Sequence, residues 1–207
     1  MARGRYVNFK NHSNYQVVAF TVDRESLTGD RFCELPVIPF DIVKNAYPPE
    51  THKMFIAVGY VGNNKIRKDR YLRAKEMGYQ LPNFIHPTAI VEPESLLGDN
   101  CEIGEYTVIS PTAKIGNNVL IGGGSIIAED VVIGDHCYLS GAVAIAGYAS
   151  IGSCCYLGMG SIIRNKISIG NDCVIGAGAL MLENAEDGSV YMGGPATLLP
   201  ISSDKLP

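Results

Sequence analysis

Two adjacent carboxylates, Glu129 and Asp130, stand in the middle of "SIIAEDVVIGDHCYLSG" (125–141). A carboxylate whose pKa is raised by burial or by a like-charged neighbour becomes a base near neutral pH. Left in water, glutamate titrates near ~4.3 and is a weak base. Both readings stand on sequence alone: a proton-transfer group, or two ordinary carboxylates on a solvated corner. Other candidates are few. His136, in "IGDHC", is the one histidine deep in this stretch and reads as a surface turn residue; His12, His52 and His86 lie outside it. A zinc hydratase would need three convergent histidines, which this spacing does not offer, and no metal is expected. Asp23 closes an apolar run and reads equally as a ligand-facing strand end or as a turn residue.

The elements that must hold Glu129 announce themselves by a beat of six. Stepping from Ile85 gives Val91, Leu97, Ile103, Ile109, Ile115, Ile121, Ile127, Ile133, Leu139, Ile145, Ile151, Leu157, Ile163, Ile169, Ile175 and Met181, all aliphatic or Met. Two residues before each, the side chain is mostly small, as at Ala113, Ser125, Ala149 and Ser161. Neither a helix nor an amphipathic strand has this period, so the chain is read as a solenoid. Each hexad supplies a short strand and a turn, and three hexads close one triangular coil. The aliphatic residue fills the prism, and stacked coils bond as parallel strands. Turn residues should gather at the corners, as at Pro111, Asn117-Asn118 and Gly123-Gly124. Cys101, Cys137, Cys155 and Cys173 fall at the small inward position and read as buried thiols.

The first 84 residues follow another pattern. Apolar runs at 15–23, 34–40, 52–60 and 79–85 read as strands. The segment 63–78 reads as a helix, capped by Asn63 or Asn64, with Ile66, Tyr71, Leu72 and Met77 as its apolar contacts and its basic residues on the wet face. Strand, helix and strand imply a small parallel sheet of Rossmann-like type. The expected layout is an α/β domain over 1–84, an all-β solenoid over 85–184 and a C-terminal tail over 185–207.

Composition narrows the partners. A net charge of −4 without a basic cluster argues against nucleic acid. No run of 18 apolar residues is present to span a membrane, and the N-terminus lacks a signal peptide's apolar stretch, so a cytoplasmic protein with reduced thiols is expected.

Runs such as "IGNNVLIGGG", "ASIGSCCYLGMGSII" and "ISIGNDCVIGAGAL" resemble the hexapeptide-repeat acyltransferases, whose fold is the left-handed parallel β-helix. With "VVAFTVD", "VGYVGNNKIRKDRY" and "GGPA" (193–196), the chain resembles the sugar acetyltransferases of the NeuD/PglD type. The resemblance implies a homotrimer with active sites between neighbouring β-helices, acetyl-CoA as donor and a nucleotide-linked sugar as acceptor. It places the thioester carbonyl at the N–H of Gly147, and the pantetheine arm along Gly158-Met159 and Gly176-Ala177-Gly178. It places Asp23 and the Gly59 turn at the nucleotide.

Three polar site positions differ from that family. Its general-base histidine is matched by Glu129, followed by Asp130; a second histidine is matched by Tyr138; an asparagine is matched by Gly122. The opening strand and glycine-rich turn of the family are missing from "MARGRYVNFKNHSNYQVVAF". Loss of the stronger base favours an amine acceptor, which attacks readily once neutral. A catalytically silent trimeric scaffold is the alternative these departures raise.

Overall fold

From Phe84 onward the computed structural model winds as a parallel β-helix, within the described residues 2–196. Each hexad yields one two-residue strand, from Phe84–Ile85 through Leu180–Met181, whose second residue is the aliphatic position of the six-residue beat. Side chains alternate along a strand, so that residue points inward and the one before it points out. Ile103, Ile109, Ile121, Ile127 and Ile163 are fully buried, as are Cys101, Ala113, Ser125, Cys137 and Ser161 at the small inward position.

The corners keep the same period. Asn100, Tyr106, Thr112, Asn118, Gly124, Asp130, His136, Ala142, Tyr148, Cys154, Gly160, Lys166, Asp172 and Gly178 all carry φ between 53° and 70°. Turn chemistry favours glycine, asparagine and aspartate there, yet Tyr106, Thr112, Ala142, Tyr148 and Lys166 adopt it too. Each costs about 1–2 kcal/mol, offset by the backbone bonds that stacking makes above and below.

Strands stack into three sheets of seven, six and five strands. Face one runs from Phe84–Ile85 to Val190–Tyr191, face two from Ile90–Val91 to Leu180–Met181, and face three from Leu96–Leu97 to Ser168–Ile169. The first corner, between faces one and two, carries Glu105, Gly123, Gly141, Met159 and Ala177. The second, between faces two and three, carries Pro111, Glu129, Gly147 and Asn165; the third carries Asp99, Asn117, Asp135, Ser153 and Asn171.

The N-terminal part departs from the expected sheet. Helix α1 (Ala2–His12) occupies the start of the chain. Strand β1 (Phe20–Val22) is shorter than the apolar run around it and pairs in parallel with β3 (Leu35–Pro39), which takes β2 (Arg31–Phe32) antiparallel on its other edge. The run 52–60 forms no ladder; Lys53 makes a lone bridge to Gln80, and Phe84–Ile85 joins the β-helix instead. The cause is a better partner. Asn100, at the third corner, accepts from the Ile56 N–H at 2.8 Å, so this extended segment is satisfied by the solenoid.

The long helix, which follows the short α2 (Val43–Ala46), is α3 (Lys65–Glu76), and it too is turned toward the β-helix. Asn64 stands at the N-cap as expected but makes no side-chain capping bond; its amide donates to the carbonyls of Cys154 and Cys155, while Asn63 donates to that of Asp172. The face expected to be wet is partly buried: Arg67 is 2% exposed and donates to the Cys137 carbonyl, whereas Ile66 and Leu72 are exposed. Burial pulls the Arg67 guanidinium down to about 10.

His136 is likewise no surface residue. It is 6% exposed, with its ring 5.2 Å from that of Tyr71. A ladder descends the third corner: Asn100 donates to Asn118 at 2.8 Å, and Asn118 donates to His136 Nδ1 at 3.0 Å. Burial lowers the His136 pKa from 6.5 to about 4. The unfolded chain therefore binds a proton below pH 6.5 that the folded chain refuses until about pH 4. Stability is complete above the upper value and falls across that window. Asparagine suits the left-handed corner and does not titrate, so His136→Asn is expected to flatten this part of a Tm-versus-pH profile. An unchanged slope between pH 4 and 6.5 would remove His136 as the cause.

Candidate functional site

The second corner brings two of the sequence-derived residues together. Gly147 sits one coil beyond Glu129, and a Cβ built on it would lie 3.2 Å from the Glu129 carbonyl and 3.4 Å from its Oε1. The Glu129 carboxylate thus folds along the corner and rests beside the glycine. Among the described residues the Gly147 N–H donates to nothing, while its carbonyl accepts from Lys166 and the Glu129 carbonyl accepts from Tyr148. An uncommitted N–H on a rigid corner is a ready donor to a developing oxyanion. Asp130 takes the left-handed position, and its N–H is bound by Thr112 Oγ1 at 3.0 Å. Glu129 and Asp130 are both exposed.

The glycines are not equivalent. Gly158 and Gly176 belong to a position where the next coil passes so closely that a Cβ would overlap its backbone: Ala177 for Gly158, Tyr191 for Gly176. Gly178 adopts φ +65° at its corner. Packing alone therefore explains Gly158 and Gly176, and the left-handed backbone favours glycine at Gly178, where a Cβ would meet nothing. At the corner position of Gly147, other coils carry Glu105, Pro111, Asn117, Ser153 or Asn165, so the turn does not demand glycine there. Met159 projects from the first corner at 64% exposure, beside Ala177 on the next coil.

Tyr138 points outward from face one. Its ring lies 5.9 Å from Tyr156, and Tyr60, next to the buried Gly59, covers both at 5.3 and 4.5 Å. On its other side opens a cleft of about 250 Å³ between α1 and face one, lined by Arg5, Asn8, Glu102, Glu105 and Gly122 among others. Arg5 closes its inner end, donating to Glu102 at 2.5 Å in a mostly buried ion pair. Asp23 is away from these groups and already engaged: both carboxylate oxygens accept from Arg70, at 2.8 and 2.6 Å. In one chain, then, Glu129 and Gly147 meet, Met159 and the first-corner glycines share another corner, and Asp23 stands apart.

Sequence reasoning passed over Tyr60, Asn8 and Glu105. Glu105 had a signal: it precedes Gly123 by the same one-coil step that separates Glu129 from Gly147. Asn8 and Tyr60 reach the solenoid only through tertiary packing.

Comparison with known proteins agrees with this architecture. Residues 112–147 and 148–182 match the family model described as bacterial transferase hexapeptide (six repeats). The acetyltransferase domain of PglB from Neisseria gonorrhoeae, solved with acetyl coenzyme A, is 27% identical with a TM-score of 0.78, over 89% of this chain and 87% of that one. Perosamine N-acetyltransferase from Caulobacter crescentus, solved as a mutant with CoA and GDP-perosamine, is 27% identical with a TM-score of 0.74, over 85% and 82%. WeeI from Acinetobacter baumannii shares the fold at 22% identity and a TM-score of 0.79, over 96% and 93%. The solenoid is the left-handed β-helix of these proteins, with a small helix-and-sheet domain in front.

The glycine analysis is testable by calorimetry. Gly158→Ala is expected to cost about 1–3 kcal/mol through overpacking, whereas Gly147→Ala, with its looser surroundings, should cost clearly less. Equal losses would show that both glycines are packing residues.

Proposed function

We propose that the chain is a hexapeptide-repeat acyltransferase that moves an acetyl group from coenzyme A to an amino group of a nucleotide-linked sugar, in the cytoplasm, for surface glycan synthesis. The observation that carries this reading is the second corner: a free Gly147 N–H with the Glu129 carboxylate laid beside it. The proteins of like fold solved with acetyl coenzyme A, and with CoA and GDP-perosamine, support the donor and the acceptor class.

The neutral amine attacks the thioester carbonyl, whose oxygen gathers charge against the Gly147 N–H. Glu129 takes the proton from the nitrogen of the tetrahedral adduct, the carbon–sulfur bond breaks and the thiolate leaves. A carboxylate is too weak to activate a hydroxyl but suffices for that acidic nitrogen, so an amine is the preferred acceptor over a hydroxyl. Proton uptake by Glu129 also removes a negative charge from beside the oxyanion. Asp130 fixes the corner. Met159, Gly158 and the Gly176-Ala177-Gly178 turn border the path of the pantetheine arm. Tyr138 faces the acceptor. The unit before residue 84, with Asp23 and Gly59, holds the nucleotide; Asp23 exchanges its Arg70 partner to do so.

A homotrimer completes the site. Face two presents Ile90, Ile126, Ile162 and Leu180 at 48–58% exposure, together with Val108 and Ala144. Face three is mixed, presenting Lys114, Ser150 and Ser168 in the same positions beside Leu96 and Val132. An apolar ladder on one flat face calls for burial. Three chains turning face two toward a common axis bring the second corner of one against the first corner of the next, so Gly147 meets a neighbour's Met159 turn. Ile126→Glu is expected to release monomers in light scattering and to abolish turnover; a trimer that persists would assign the contact to another face.

Thiol release from acetyl-CoA over a panel of UDP-, GDP- and dTDP-linked sugars tests the activity. Release is expected with amine-bearing sugars. Proline already stands at Pro111 in the same corner position, so the turn accepts Gly147→Pro, which removes the N–H; Gly147→Ala, which keeps the N–H, controls for the added Cβ beside Glu129. Gly147→Pro should lower kcat by about 10²-fold or more, and Glu129→Gln by about 10-fold or more, both without loss of fold. Tight acetyl-CoA binding with no acceptor acylated would turn the account to the silent scaffold.

A further inference from the structure

The cleft between α1 and face one has a composition that the donor side of the site does not explain. Its inner end is neutralised, since Arg5 and Glu102 satisfy each other. What remains open is an unpaired set. The Asn8 amide, the exposed Glu105 carboxylate, the Tyr138 hydroxyl and the Gly123 N–H have no hydrogen-bond partner among the described residues. Glu105 lies directly over Gly123: a Cβ there would be 2.9 Å from its Oε1. Leu120 and the ring of Tyr138 supply the apolar surface. A concave site with an aromatic wall and a few convergent polar groups is a small-molecule site.

From this we infer that the cleft binds the pyranose ring of an amino sugar, with Glu105 receiving its ammonium group before deprotonation. The ring stacks its C–H face on Tyr138, Asn8 takes a hydroxyl pair, the Gly123 N–H donates to a ring hydroxyl oxygen, and the Glu105 carboxylate distinguishes a cationic amine from a hydroxyl. The cleft is open on its outer side, and its volume of about 250 Å³ suits one monosaccharide, with the nucleotide extending outside it. The position fits the chemistry. Gly123 and Glu105 occupy the first corner, two and three coils before Met159, about 10 and about 14 Å along the stack at the usual spacing of paired strands. The amine then waits at the end of the path proposed for the thioester arm. Tyr60, projecting from the N-terminal part onto Tyr138 and Tyr156, steadies the aromatic wall.

This inference rests on the acyl-transfer reading for its substrate, but it is tested without turnover. The probes are D-glucosamine and D-glucose, followed by saturation-transfer NMR on the full chain. Glucosamine is expected to bind and glucose to bind about tenfold more weakly, the difference due to the charge-assisted contact. Glu105→Gln should erase that preference, and Asn8→Ala should weaken both sugars. Both substitutions are on the surface of the fold, and their Tm values report on folding. Glucosamine bound equally by the wild type and Glu105→Gln, or not bound at all, overturns the cleft assignment even where thiol release succeeds. In the transfer assay, the two variants should raise the acceptor KM by about tenfold while leaving the acetyl-CoA KM within about twofold. Acceptor KM values unchanged in both variants also overturn it, while leaving the acyltransferase intact. Should no acceptor turn over, the NMR comparison alone decides the cleft.

Discussion

Everything in this protein depends on one constraint: every sixth side chain must enter the same dry prism. Once Ile103, Ile109, Ile115 and their successors are inside, each coil has no freedom of register against the next. A slip of one residue would turn the whole aliphatic row to solvent. Corners are therefore repeated at fixed height, and anything hung on a corner is held as rigidly as the core. That is why a glutamate and a glycine one coil apart meet, and why they do so without any side-chain hydrogen bond between them.

The same constraint makes the N-terminal part subordinate. Its strands gain less from each other than from the solenoid. Ile56 bonds to Asn100, Arg67 to Cys137, and Tyr71 and Lys75 both to Asp99. Two small cores, one around the prism and one around Phe40, Met54, Tyr71 and Leu81, are joined along the third corner. This leaves the first two corners uncovered, and these are the ones that carry Glu129, Gly147 and Met159. α1 adds a wall over face one and creates the cleft.

Legibility followed the physics of each part. The solenoid was readable residue by residue because burial in it depends on a single period. The roles of Cys101, Cys137, Cys155 and Cys173 followed from register. The N-terminal strands were misassigned because an apolar extended run such as 52–60 looks the same whether it pairs with a sheet or lies on a β-helix. His136 looked like a turn residue because nothing local shows that Tyr71 will cover it. Arg67 looked wet because helix periodicity does not say which face meets a carbonyl. Glu129 beside Gly147 was legible from the 18-residue coil; the cleft was not, since Asn8 and Glu105 are 97 residues apart in sequence.

The most direct measurement is a crystal structure of the assembled protein soaked with acetyl-CoA. The account requires the thioester oxygen within hydrogen-bonding distance of the Gly147 N–H of one chain, with the pantetheine arm lying along the Met159 corner of its neighbour. Coenzyme A bound elsewhere, or a Gly147 N–H facing only solvent in the loaded protein, would contradict it.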